Sequence, residues 1–442
     1  MRSMPSCIRF GLSCCVIFIS PTLYAQPSEY GAENLTELFR LAEFNSPSIA
    51  SAKASLLATT EKERQALGAF LPSVNYNGSK NKQNTQAITN DVALPESDST
   101  ITKHEIALTQ PLYNRPSSIQ YQISKHQIEK QEFELSQLIL DLRSKVAQAY
   151  FLVLTYEDTL RLLDAQKSTF TQQLAQAKRS YELGITTVTD VHEAQSKLDS
   201  LIAQEVGTSK ELEAAKVSLR TLVGKNFKLT QTFQIEFGSK LKTIPDVGSL
   251  LDQAYAGNYQ IRSLNSLAEL AVLDIKKANA LHYPSLDFKA SVSQSKQNMM
   301  STNTSQTDSR NAQVGIYLTI PLYSGGIISS KAREAIHNLD KINHDLENVR
   351  LGIQEDIEGN YTRWKLGIAQ IEALDKAIVS SEAALKSVNT GYALGVRIGL
   401  DVFTAQQQII QLKKDLLKAK YDTLMSILKI RTALGQNSID LF

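Results

Sequence analysis

One run of this sequence rules out an ordinary globular core. From Leu142 the core-facing positions step by four and three through Val146, Ala149, Val153, Tyr156, Leu160, Leu163, Lys167, Phe170, Leu174, Ala177 and Tyr181, and only Lys167 breaks the series. A repeat sustained at 3.5 residues is the pattern by which helices pack lengthwise as coiled coils. The helical pattern spans about Ser117 to Leu183, on the order of 90–100 Å at 1.5 Å per residue. No domain of usual size has a core that long.

The run ends at Leu183-Gly184, and apolar-periodic sequence resumes from Val188 to Leu222. A glycine between two such segments marks a helix end and a tight turn, so Tyr181–Asp199 is predicted to be the tip of a long helical hairpin. A related stretch returns at Tyr392–Ile410, with the same Tyr, Leu-Gly and Asp spacing. Other landmarks recur at nearly the same offset. Leu71-Pro72-Ser73-Val74 is echoed by Tyr283-Pro284-Ser285-Leu286, Thr109 to Tyr113 by Thr319 to Tyr323, and Thr221 to Asn226 by Thr432 to Asn437. The chain therefore reads as two copies of one unit of about 200 residues. We place the first over 26–224, a linker over 225–246 and the second over 247–442. Helices are expected in the second copy over about 327–394 and 400–434, with Val402, Ala405, Ile409, Leu412, Leu416 and Ala419 facing inward.

Residues 1–25 read as a secretory signal. Arg2 and Arg9 give a positive start, Gly11 to Ile19 is apolar, and Leu23-Tyr24-Ala25 fits a cleavage site. All three cysteines (Cys7, Cys14, Cys15) lie inside it, so the mature chain is expected to hold no disulfide and no thiolate site. Without the two signal arginines, 45 Lys and Arg balance 45 Asp and Glu, which leaves no basic excess to hold nucleic acid. No other run is long and apolar enough for a membrane helix. An exported chain of this kind is either soluble or a β-barrel of the outer membrane.

Helix pairs are expected over 32–70, with Asn34 able to cap the first helix, and over 250–281. After each pair the period changes to two. Strands are predicted over 73–79, 101–110, 285–293 and 312–320. Val74 and Tyr76, then Ile106 and Leu108, alternate with polar neighbours. So do Leu286, Phe288, Ala290 and Val292, and then Val314, Ile316, Leu318 and Ile320. Phe233, Ile235 and Phe237 alternate in the linker. Alternation alone also fits a half-buried hairpin of a soluble sheet. The signal and the long polar loops favour strands facing lipid. Membrane barrels begin at about eight strands, so a chain with four must share its barrel with copies of itself.

Nothing points to catalysis. The six histidines are scattered, and there is no phosphate loop, dinucleotide turn or nucleophile motif. We expect no cofactor, metal or catalytic residue. Taken as residues alone, Asp190 and Asp401 stand where an aspartate caps a return helix. Three-fold repetition of either would cluster carboxylates that repel unless cations or arginines offset them.

The duplicated helix–strand–strand–helix unit, the Leu-Pro-Ser and Tyr-Pro-Ser strand starts, Pro321-Leu322-Tyr323-Ser324-Gly325-Gly326 and the two tips together resemble the TolC family of outer-membrane efflux proteins, over roughly residues 32–437. The resemblance implies a mainly α protein with a membrane β part. Three chains would share one twelve-stranded β-barrel above a tunnel of long α-helical hairpins. It also implies an exit duct for drugs or secreted proteins, a periplasmic adaptor (membrane fusion protein), an inner-membrane transporter of the RND or ABC class, and outer-membrane lipid around the barrel. By position it implies that Leu183, Gly184, Ile185, Leu394, Gly395 and Val396 meet the adaptor. Asp401, Arg397, Tyr392, Asp190 and Thr189 would hold the periplasmic end shut. Thr404 replaces the family's second aspartate, which implies one acidic ring in place of two. Lys420 stands where the family has an arginine. The competing reading is a trimeric coiled-coil stalk or adhesin on a small barrel, without transport.

Overall fold

The computed structural model describes residues 30–32, 35–86, 88–89, 92–93, 96–224, 227–229, 245–300 and 305–436. The predicted signal, Asn34 as a cap and the alternating Phe233, Ile235 and Phe237 lie outside the described residues.

Two series of elements follow one another in the same order. The first is β1 (Tyr30–Ala32), α1 (Leu35–Asn45), α2 (Pro47–Gly68), β2 (Ser73–Thr85), the short β3 (Ile88–Thr89) and β4 (Val92–Ala93), β5 (Ser97–Tyr113), α3 (Arg115–Glu182) and α4 (Val188–Val223). The second is β6 (Phe227–Leu229), α5 (Val247–Gly257), α6 (Tyr259–Ala280), β7 (Ser285–Met300), β8 (Ser305–Thr319), α7 (Ile327–Ala393) and α8 (Gly399–Ala433). The equivalent β1 and β6 pair with each other in parallel.

Local chemistry sets the breaks. Ser46 caps α2 by accepting the Ile49 N–H, and Pro47 follows as the first helical residue, where a missing N–H costs nothing. Asn258 does the same for α6, accepting from the Gln260 and Ile261 N–H groups. Its amide also donates to the Ala433 carbonyl at 2.8 Å, and Asn45 donates to the Val223 carbonyl at 2.9 Å. Each unit thus ties the end of its return helix to its own short helix pair.

The helix α3 has 68 residues and α7 has 67, about 100 Å each at 1.5 Å per residue. The seam read from the sequence is the buried one over most of its length, but Tyr181 at its far end, where the hairpin turns, is 49% exposed. Val146, Ala149, Val153, Leu163, Phe170 and Leu174 are buried, in contact with α4 residues such as Leu198, Leu201, Leu212 and Leu219. Lys167 keeps its place in the seam because its ammonium meets Glu205 of α4 at 2.7 Å. In the second unit Ile261 of α6, Ile353 and Ile357 of α7, and Ile430 and Leu434 form the matching core.

The sheet carries β2, β5, β7 and β8 in that order, all antiparallel. The central β5–β7 pairing joins the two units, and among the described residues β2 and β8 are left as open edges. Register puts the apolar residues in rows: Val74, Leu108, Ala290 and Val314, then Tyr76, Ile106, Val292 and Ala312, with Phe288 opposite Ile316. That face is uncovered, with Val314 71% and Ile316 66% exposed. The strands run further than the alternation predicted, to Thr85, from Ser97 to Tyr113, to Met300 and from Ser305. Ladder bonds are made by backbone groups, so pairing continues where both faces turn polar and the sequence signal ends.

Candidate functional site

The far ends of the two hairpins carry the gate and adaptor-contact residues that the sequence singled out, whereas Lys420 lies well along α8. Both tips have the same backbone. The Gly184 N–H donates to the Tyr181 carbonyl at 2.9 Å, and the Ile185 N–H to the Ser180 carbonyl at 2.9 Å. At the second tip, the Gly395 N–H donates to Tyr392 at 3.0 Å and the Val396 N–H to Gly391 at 2.9 Å. These paired bonds are the Schellman ending. Gly184 and Gly395 sit at φ +72° and +74°, where a side chain costs about 1–2 kcal/mol. The turns push Leu183, Ile185, Leu394 and Val396 outward, each about 70% exposed or more.

The return helices start differently. At the first tip Thr187 is the N-cap of α4. The Asp190 N–H donates to its Oγ1 at 3.4 Å, and the Thr187 N–H donates to Asp190 Oδ2 at 3.0 Å. This is a capping box. The equivalent cap of α8 is Ile398, which has no side-chain hydrogen bond to give. Asp401 instead faces Arg397, with Nη1 to Oδ2 at 3.5 Å. The Arg397 stem lies over Gly391, where a Cβ would come within 2.9 Å of Cγ, and the Tyr392 ring lies beside Gly399. So the sequence expectation of two capping aspartates holds for Asp190 alone. Thr187 was missed, although its Thr-x-x-Asp spacing is visible in the chain.

The remaining residues are exposed. Thr189 sits on the first turn of α4, and Thr404 donates its hydroxyl to the Leu400 carbonyl of its own helix at 2.8 Å. Among the described residues, no hydrogen bond or ion pair joins Thr189 or Asp190 to Tyr392, Arg397 or Asp401 within one chain. The hairpins meet further back. Phe170 packs edge-on against Phe403 with centroids 5.1 Å apart, and the Tyr421 hydroxyl donates to Asp158 Oδ2 at 2.8 Å. Burial and the Asp158 acceptor push that hydroxyl far above its ordinary range, so it stays a donor. The tip itself offers a partly exposed carboxylate with one arginine partner. Such a pair contributes about 0–1 kcal/mol to stability, and it can open and close at little cost.

The profile of the outer membrane efflux protein family matches residues 38–225 and 250–436, one span for each structural unit. The outer membrane protein TolC of Vibrio cholerae is 27% identical over 420 residues, covering 95% of this chain and 94% of that protein. The alkaline protease secretion protein AprF of Pseudomonas aeruginosa is 26% identical over 411 residues, covering 91% and 85%. Among solved structures, the outer-membrane channel OprN aligns with a TM-score of 0.77 at 17% identity, over 91% of this chain and 90% of that one.

Proposed function

We infer the role of this chain from one premise: it belongs to the outer membrane efflux protein family. It is an outer-membrane exit duct of the TolC kind, for drugs or secreted proteins. The observation that carries this reading is the junction of two features in one chain. A four-stranded sheet with an uncovered apolar face sits at one end of helices about 100 Å long. Lipid is the solvent that such a face suits.

The assembly follows from the open edges. An unpaired β2 and an unpaired β8 cannot remain exposed in a bilayer, where each lone backbone group costs several kcal/mol. Pairing β8 of one protomer with β2 of the next closes the sheet, and three copies give the twelve strands that the family resemblance implies. The uncovered Leu351, Leu366 and Val379 of α7 fit packing against neighbouring protomers. In that trimer Asp401 repeats three times around the axis. Arg397 and Tyr392, with Thr189 and Asp190 from adjacent hairpins, hold the narrow end shut. The exposed Leu183–Ile185 and Leu394–Val396 turns receive a periplasmic adaptor, and an inner-membrane transporter supplies the energy.

Reconstitution of the purified chain in a planar bilayer tests the duct. A stable, small single-channel conductance is expected from the closed state. A folded trimer that conducts nothing would overturn the duct and restore the stalk.

A further inference from the structure

We propose a divalent transition-metal site formed by His126, Glu129 and Glu269, which clips α3 to α6 just beneath the sheet. It goes beyond the duct reading and does not depend on it. His126 lies about three turns into α3. Glu129 follows one turn later on the same face. Glu269 comes from α6 of the other structural unit, which packs along α3.

His126 Nδ1 lies 3.4 Å from Glu129 Oε2 and 3.2 Å from Glu269 Oε2. That nitrogen is shielded from solvent, yet it has no hydrogen-bond partner among the described residues. A single Nδ1–H cannot serve two carboxylates, and here it meets neither in hydrogen-bond geometry. The two glutamates find no other cation within ion-pair distance among the described residues. The three ligand atoms lie within 4.8 Å of one another. Bonds of about 2.0–2.2 Å to a tetrahedral ion hold neighbouring ligand atoms roughly 3.2–3.6 Å apart, and both separations from Nδ1 fall in that range. An ion between them would satisfy the orphaned nitrogen and neutralise both carboxylates at once.

The donor set selects the ion. An imidazole with two carboxylates suits Zn²⁺ and its neighbours, whereas Ca²⁺ and Mg²⁺ seek six or more oxygens. Both carboxylates are largely exposed, which leaves an approach path and room for water in the remaining coordination position. Bound there, the ion would tie the first unit's long helix to the second unit's short one.

Titration of the purified full-length protein with ZnCl₂ tests the site, followed by calorimetry and by the thermal unfolding midpoint. We expect about one Zn²⁺ per chain and a raised midpoint, since an ion bound only by the native state stabilises it. Mg²⁺ should do neither. Glu269→Gln, at an exposed position, should weaken binding by about ten-fold or more and remove the thermal shift, and His126→Gln should do the same. No Zn²⁺ uptake by the wild type would overturn the proposal. So would equal uptake by the wild type and both variants, because the ion would then sit elsewhere.

Discussion

The two hairpin tips share a turn and differ in what their aspartates do. Asp190 is held by Thr187 and completes the cap of α4. Asp401, at the equivalent position, has Ile398 in place of the threonine and faces Arg397. Gly391, where the first unit has Ser180, makes room for that arginine. The first tip uses its acid to hold a helix, and the second leaves its acid available. A duplicated fold can thus keep one copy as scaffold and leave the other free for the gating role proposed above.

Substitutions at the two tips separate these roles. The largest effect should be shared by both tips. Gly184→Ala and Gly395→Ala should each destabilise their turn by about 1–2 kcal/mol, read as faster hydrogen exchange at the tip amides. A large loss at one tip only would mean that the turns are not equivalent. Next comes the cap. Thr187→Ala should cost about 1 kcal/mol and free the start of α4 to exchange, while Ile398→Ala should leave α8 unchanged. The converse graft, Ile398→Thr, should stabilise α8 by roughly 0.5–1 kcal/mol and draw Asp401 into a capping box. That variant should conduct as though its acid had been removed. The smallest effect on stability belongs to Asp401→Ala, under about 0.5 kcal/mol, because the Arg397 pair is exposed. A loss as large as that of Thr187→Ala would show that Asp401 is a cap after all.

The same contrast shows what a sequence can display. The seam from Val146 to Leu174 was legible because burial repeats with the period of the helix. The rows of Val74, Leu108, Ala290 and Val314 were legible because strand faces alternate. The polar ends of the strands were not, since backbone pairing asks nothing of the side chains. Lys167 looked like a defect because its partner, Glu205, lies across the hairpin on the return helix. Thr187 could have been found from its spacing to Asp190. The Arg397–Asp401 pair could also have been read, as the two opposite charges lie four residues apart across the start of α8. The grouping of His126 with Glu269 could not, because only the packing of α6 on α3 brings them together.

On the proposed reading, the acid of the second tip does more than that of the first to hold the narrow end shut. Single-channel conductance of the wild type, Asp401→Ala and Asp190→Ala, recorded side by side in one planar bilayer system, tests it most directly. Asp401→Ala should conduct more than the wild type, and Asp190→Ala should open less because most of its effect falls on the cap of α4. Equal conductance in wild type and Asp401→Ala, or a larger rise in Asp190→Ala, would contradict it.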